Sequence, residues 1–137
     1  DIGLSPDIPV QSEETPRSDR HHSILIAEDV YENYFLLETL FGKQYQLYHA
    51  LNGQEAIDMF ETYHPDLILM DIKMPVMDGF EATRRIRTVS KTIPIIALTA
   101  FAFEREKEIA KQCEFTDYVV KPIDIKELKK LIVKVLA

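Results

Sequence analysis

The stretch Leu67-Ile68-Leu69-Met70-Asp71 reads as a short strand that ends on a carboxylate. Consecutive apolar residues without alternation suit a strand covered on both faces, as in the parallel sheets of α/β proteins. Three further runs repeat the pattern: Ile24-Leu25-Ile26-Ala27 ends on Glu28-Asp29, Ile95-Ile96-Ala97-Leu98 on Thr99, and Tyr118-Val119-Val120 on Lys121-Pro122. Parallel strands in an open sheet finish on one edge, so these distant residues are expected to meet in one crevice. Carboxylates crowded there repel one another unless a cation sits among them, and ligands that are all oxygen suit a hard ion such as Mg²⁺.

Outward from these runs, the chain alternates strand-like and amphipathic segments, the signature of βα units. Strands are expected near 23–28, 45–50, 67–71, 95–99 and 117–120, and helices near 31–41, 53–63, 79–88, 103–112 and 124–136. Gly42 follows the first helix, Pro65 bars continuation of the second, and Asp124 with Glu127 makes a capping box for the last. Helices on both faces of a five-stranded parallel sheet give a doubly wound fold, with strand order 2-1-3-4-5 expected for that size. The winding then reverses beside the first and third strands, which end on Glu28-Asp29 and Asp71.

At 137 residues the chain suits one domain, 23–137, preceded by a Pro-rich, charged lead, 1–22, that reads as a linker or disordered tail. His21-His22 in that lead is read as incidental. The net charge of −7 opposes direct contact with nucleic acid. The single cysteine, Cys113, excludes an internal disulfide and has no zinc-ligand partner nearby. No apolar run reaches the length of about 20 residues that a membrane helix needs, and no signal peptide is legible, so a cytoplasmic location is expected.

Taken together these pieces resemble one family, the receiver domains of two-component response regulators. Glu28-Asp29 is similar to its acidic pair, and Asp71-Ile72-Lys73-Met74-Pro75-Val76-Met77-Asp78-Gly79 to the stretch around its phosphorylated aspartate. Thr99-Ala100 is similar to its hydroxyl and small residues, and Tyr118 and Lys121-Pro122 to its switch aromatic and its lysine. The resemblance covers 23–137 and implies a flavodoxin-like receiver fold. It also implies phosphorylation of Asp71 from a histidine kinase or histidine phosphotransfer domain in a phosphorelay. Whether such a module counts as an enzyme, through self-phosphorylation and autodephosphorylation, stays open.

A strand-end carboxylate such as Asp71 can attack phosphorus and become an acyl phosphate. Phosphoryl transfer is mainly positioning and charge neutralisation, so a bridging metal is the expected catalyst. Asp29 is expected to bind Mg²⁺ directly and Glu28 directly or through water. The resemblance adds the Lys73 backbone carbonyl as a ligand, Lys121 as a point charge beside the phosphoryl group, a Lys-Pro bond typically cis, and Thr99 with Tyr118 as the switch. On the first helix, Leu36, Leu37, Leu40 and Phe41 read as the core stripe, leaving Tyr31, Tyr34 and Phe35 beside the crevice as a partner surface.

The chain departs from the family at Glu114, where a glycine is usual four residues before the switch aromatic. Lys73 and Phe101, each two residues after a site residue, are long side chains expected to hinder an in-line water and prolong the phosphorylated state. Two rival readings lack a residue they require. A Mg²⁺-dependent phosphatase of the haloacid dehalogenase type needs a second aspartate where Lys73 stands, and a flavodoxin-like redox module needs a phosphate loop where Glu28-Asp29 stands. The lead and the absent initiator Met point to the C-terminal receiver of a hybrid sensor histidine kinase, on the cytoplasmic part of a membrane sensor.

Overall fold

The structure, a computed structural model, describes residues 22–100 and 104–137, with side chains from 107 onward in the second segment. The expected lead through residue 21 and the expectation for Phe101 lie outside the described residues. Five strands, β1 (Ser23–Ala27), β2 (Gln46–Ala50), β3 (Leu67–Asp71), β4 (Ile95–Thr99) and β5 (Asp117–Val120), alternate with α1 (Tyr31–Phe41), α2 (Gly53–Tyr63), α3 (Gly79–Arg87), α4 (Glu104–Gln112) and α5 (Ile125–Leu136). All strand pairs are parallel, in the order β2-β1-β3-β4-β5.

Alternate strand residues feed opposite cores. Ile24, Ile26, Leu67, Leu69, Ile96 and Leu98 pack with Leu37 and Phe41 of α1 and Leu128 and Ile132 of α5. Leu25, Ala27, Ile68, Met70 and Ile95 pack with Ala56 and Phe60 of α2 and Ala82 and Ile86 of α3. Burial of a leucine or isoleucine stabilises by roughly 1.5–3 kcal/mol, so the fully buried central strands anchor the sheet. Of the apolar runs, β5 differs from the expectation of cover on both faces, exposing Tyr118 and Val120, and the other edge strand, β2, is mostly half-buried. An edge strand has a neighbour on one side only, and flanking helices overhang it incompletely.

Helix starts follow local chemistry. The side chains of Asn52, Asp78 and Asp124 accept from the backbone N–H of Glu55, Glu81 and Glu127, filling donors that a first turn leaves open. The first helix is corrected in one respect. Tyr34, Leu37 and Phe41 form its buried stripe, whereas Leu36 is 51% exposed. Apolar residues occur on most sides of this helix, so spacing alone admits more than one stripe, and packing against α5 and the sheet selects this one. Tyr34 therefore belongs to the core, while Tyr31 and Phe35 stand exposed.

Candidate phosphoacceptor site

The crevice forms at the strand ends as expected. Asp71 closes β3, Thr99 closes β4, Glu28-Asp29 follow β1, and Lys121-Pro122 follow β5 with a cis peptide bond. A Cβ on Gly79 would collide with the Asp71 carbonyl, so only glycine lets α3 begin so close behind that residue. The Gly79 amide bonds Ile72 O at 2.9 Å and the Lys73 amide bonds Asp71 Oδ1 at 3.2 Å, which holds the loop after the carboxylate. Lys121 N–H donates to Thr99 O at 2.7 Å, bringing the lysine beside β4.

Carboxylate oxygens of Glu28, Asp29 and Asp71 lie within 4.8 Å of one another. Lys121 Nζ donates to Asp71 Oδ2 at 2.9 Å and lies 3.4 Å from Glu28 Oε1. At such a separation, two like charges repel by on the order of 3 kcal/mol for an effective dielectric near 20. Among the described residues the Lys121 ammonium is paired with two of these three carboxylates, so the acidic groups outnumber the cation that faces them. Glu28, 1% exposed, shows the strain: burial first and then the Asp71 charge raise its pKa above the usual carboxylate value. For Lys121, burial pulls its pKa down, but the Asp71 hydrogen bond and the charges of Asp71 and Glu28 outweigh it and raise the ammonium above the usual lysine value.

The crevice has a volume of about 900 Å³, and its lining includes Asp29, Asp71, Lys73, Thr99, Ala100 and Lys121. Thr99 is buried, whereas Tyr118, on the neighbouring strand, is 38% exposed. Sequence reasoning missed three groups around Glu28. Its Oε2 accepts from Val30 N–H at 3.1 Å and Asn33 Nδ2 at 3.4 Å, and its backbone carbonyl meets His49 Nε2 at 2.8 Å. Asn33 stands one helical turn beyond the pair and could have been found by spacing; His49 depends on the register between β1 and β2.

The family model of the response regulator receiver domain matches residues 24–133. The sporulation initiation phosphotransferase F of Bacillus subtilis is 34% identical over 117 residues, 85% of this chain and 94% of that protein. Another curated relative is matched at 38% identity, but the chain spans 25% of its length. Among solved structures, the receiver domain of a Pseudomonas aeruginosa sensor histidine kinase, with a magnesium ion coordinated in its active-site cleft, superposes with a TM-score of 0.78 at 34% identity, over 84% of this chain and 97% of that one. The receiver domain of the Saccharomyces cerevisiae response regulator Ssk1, solved with the histidine phosphotransfer protein Ypd1, gives a TM-score of 0.77 at 31% identity, over 82% of this chain and 87% of that one. The chain belongs to the response regulator receiver family and is a phosphoacceptor domain of two-component signalling.

Proposed function

We propose that the phosphoacceptor of this domain is Asp71 and that Mg²⁺ assists the transfer. The carrying observation is a strand-end carboxylate held at 2.9 Å by Lys121 Nζ, with two further carboxylates beside it and a glycine behind it. A donor set of carboxylates, short of positive charge and free of soft ligands, fits a hard divalent cation. Glu28, Asp29, Asp71 and the Lys73 carbonyl would hold it, and it would neutralise phosphoryl oxygens during transfer.

The chain's own residues then do the following. An Asp71 oxygen attacks the phosphorus of a phosphohistidine, an O–P bond forms, and the N–P bond breaks with its electron pair returning to the imidazole. Lys121, already on Oδ2, stabilises the charge that gathers as the acyl phosphate forms. Thr99, at the end of the adjacent strand, offers a hydroxyl to a phosphoryl oxygen present only after transfer, and Tyr118 responds from β5 as the switch aromatic. Lys73, exposed at the crevice rim, is poorly suited to orient a hydrolytic water, which favours a long-lived phosphorylated state.

The partner in this reading is a histidine kinase or histidine phosphotransfer domain, docking on exposed Tyr31 and Phe35 of α1, whose rings meet edge to face at 5.5 Å. The yeast receiver solved with its phosphotransfer protein supports that class of partner. Among the described residues no helix is long and apolar enough to cross a membrane. A cytoplasmic setting belongs to the same proposal, as does a parent hybrid kinase, which the likeness to the kinase-borne receiver supports.

The test is transfer from a phosphorylated histidine phosphotransfer domain, followed by intact mass and peptide mapping. Wild type should gain one phosphoryl group on the peptide containing Asp71, and chelation of Mg²⁺ should slow the gain strongly. An Asp71→Asn protein labelled at the wild-type rate would refute the assignment.

A further inference from the structure

Glu28 lies one residue past the end of β1, and its two backbone groups are treated differently. Its N–H extends the ladder by donating to Ala50 O at 2.9 Å. Its carbonyl is met by a side chain instead, with His49 Nε2 2.8 Å away. A carbonyl only accepts, so Nε2 carries the hydrogen in this contact. Two rings of α1 pack against the imidazole. It lies flat on Tyr34, with centroids 3.7 Å apart and planes 2° from parallel, and Tyr31 meets it edge-on at 6.0 Å. Tyr34 is itself buried in the core. His49 sits on β2 opposite Ile26, so the sheet register sets how far the ring reaches past the strand end.

We propose that His49 is a positioning residue for the cation site, holding the peptide between Glu28 and Asp29 so that both carboxylates face Asp71. The peptide is planar, so a hydrogen bond at its oxygen restrains its tilt and with it the backbone of both acidic residues. Hydrogen bonds from Val30 and Asn33 hold the Glu28 carboxylate but leave the Glu28 carbonyl untouched. Partners behind metal ligands commonly orient them by bonding their side chains. Here the same restraint is delivered through the main chain. The inference rests on the reading of Glu28 and Asp29 as cation ligands.

The experiment titrates Mg²⁺ alone into wild type, Asp29→Ala, His49→Phe and His49→Gln by calorimetry, and records the ¹⁵N spectrum of His49 in the wild type in mildly alkaline buffer. Phenylalanine keeps the stack on Tyr34 and loses the donor; glutamine carries an N–H at similar reach. His49→Phe should weaken Mg²⁺ affinity about tenfold. His49→Gln should recover most of it, and the wild-type ring should be the Nε2–H tautomer. A folded His49→Phe protein with wild-type affinity overturns the proposal while a crippled Asp29→Ala leaves the ligand reading standing. Wild type that ignores Mg²⁺, or Asp29→Ala that binds like wild type, overturns the ligand reading and this inference with it. Should His49→Phe fail to fold, the tautomer decides: an Nδ1–H ring contradicts the donor role and overturns the proposal.

Discussion

At the edge where the strands begin, Arg87 buries a guanidinium; at the edge where they end, Glu28 and Asp71 bury carboxylates. Both are charges taken out of water, yet their surroundings differ. Arg87, 6% exposed, donates to the carbonyls of Ser90 at 3.2 Å, Ile93 at 2.7 Å and Glu114 at 2.9 Å. Burial lowers its pKa, with the Glu114 charge opposing. Its donors go to fixed backbone oxygens, and the group ties the end of α3 to the turn before β5. The carboxylates instead face one another across a crevice with the Lys121 ammonium between Glu28 and Asp71. A buried charge whose hydrogen bonds are filled by backbone is architecture, whereas a group of like charges left undercompensated beside open space is a place for a ligand.

The strongest way to break this contrast is Arg87→Met. The substitution leaves the Ser90, Ile93 and Glu114 carbonyls without their donor and should lower unfolding free energy by about 3 kcal/mol, measured by denaturant titration. Phosphoryl acceptance by the folded fraction should be unchanged. Loss of acceptance in protein that is still folded would mean that this edge also serves the site.

A smaller effect sharpens the same comparison. Glu114, where the family usually has glycine, adopts φ 64°, a left-handed conformation that an L side chain occupies at a cost of roughly 1–2 kcal/mol. Its carbonyl takes the Arg87 hydrogen bond and its side chain forms an exposed pair with Lys91 at 3.5 Å, which contributes little. Glu114→Gly keeps the carbonyl and removes the strain, so the denaturation midpoint should rise, by about 1 kcal/mol in stability. No rise would show that the turn relaxes at no cost. Val76, with φ 68° at the tip of the loop after Asp71, is strained in the same sense, and Val76→Asn should stabilise by a similar or smaller amount.

Much of this was legible in the chain. Four apolar runs located β1, β3, β4 and β5, and their polar ends located the crevice; β1, β3 and β4 were plainest, because a strand covered on both faces has little freedom in what it can be, whereas β2 followed only from the alternation of strand-like and helical segments. The faces of α1 were not legible: Tyr34 and Leu36 exchange core and surface roles relative to expectation, since apolar residues nearly all round a helix leave the choice to its neighbours. The left-handed Val76 carries no local signal, being neither Gly nor Asn, and Glu114 was flagged only by the family's usual glycine at its position. His49 becomes visible only through strand register, which the residue types do not specify.

Protonation links the comparison to pH. Glu28 has a raised folded pKa, so its contribution favours the fold below the unfolded carboxylate value of about 4.3 and is lost as pH rises through the raised folded value. Lys121 is also raised, so its contribution is complete below about 10.4 and is lost only in stronger alkali. Raising the pH through the folded value of Glu28 therefore costs stability in the metal-free protein, while the benefit of Lys121 stays intact across the neutral range.

Thermal unfolding of wild type and Glu28→Gln at neutral pH, each with chelator and with saturating Mg²⁺, tests the central claim most directly. Glutamine keeps an acceptor for the Val30 amide and removes one of the crowded charges. Without metal the variant should melt about 4 °C above wild type, equivalent to roughly 1 kcal/mol. Mg²⁺ should raise the wild-type midpoint by binding the folded state and move the variant much less. A wild type indifferent to Mg²⁺, together with a variant that melts no higher than wild type in chelator, would contradict the account.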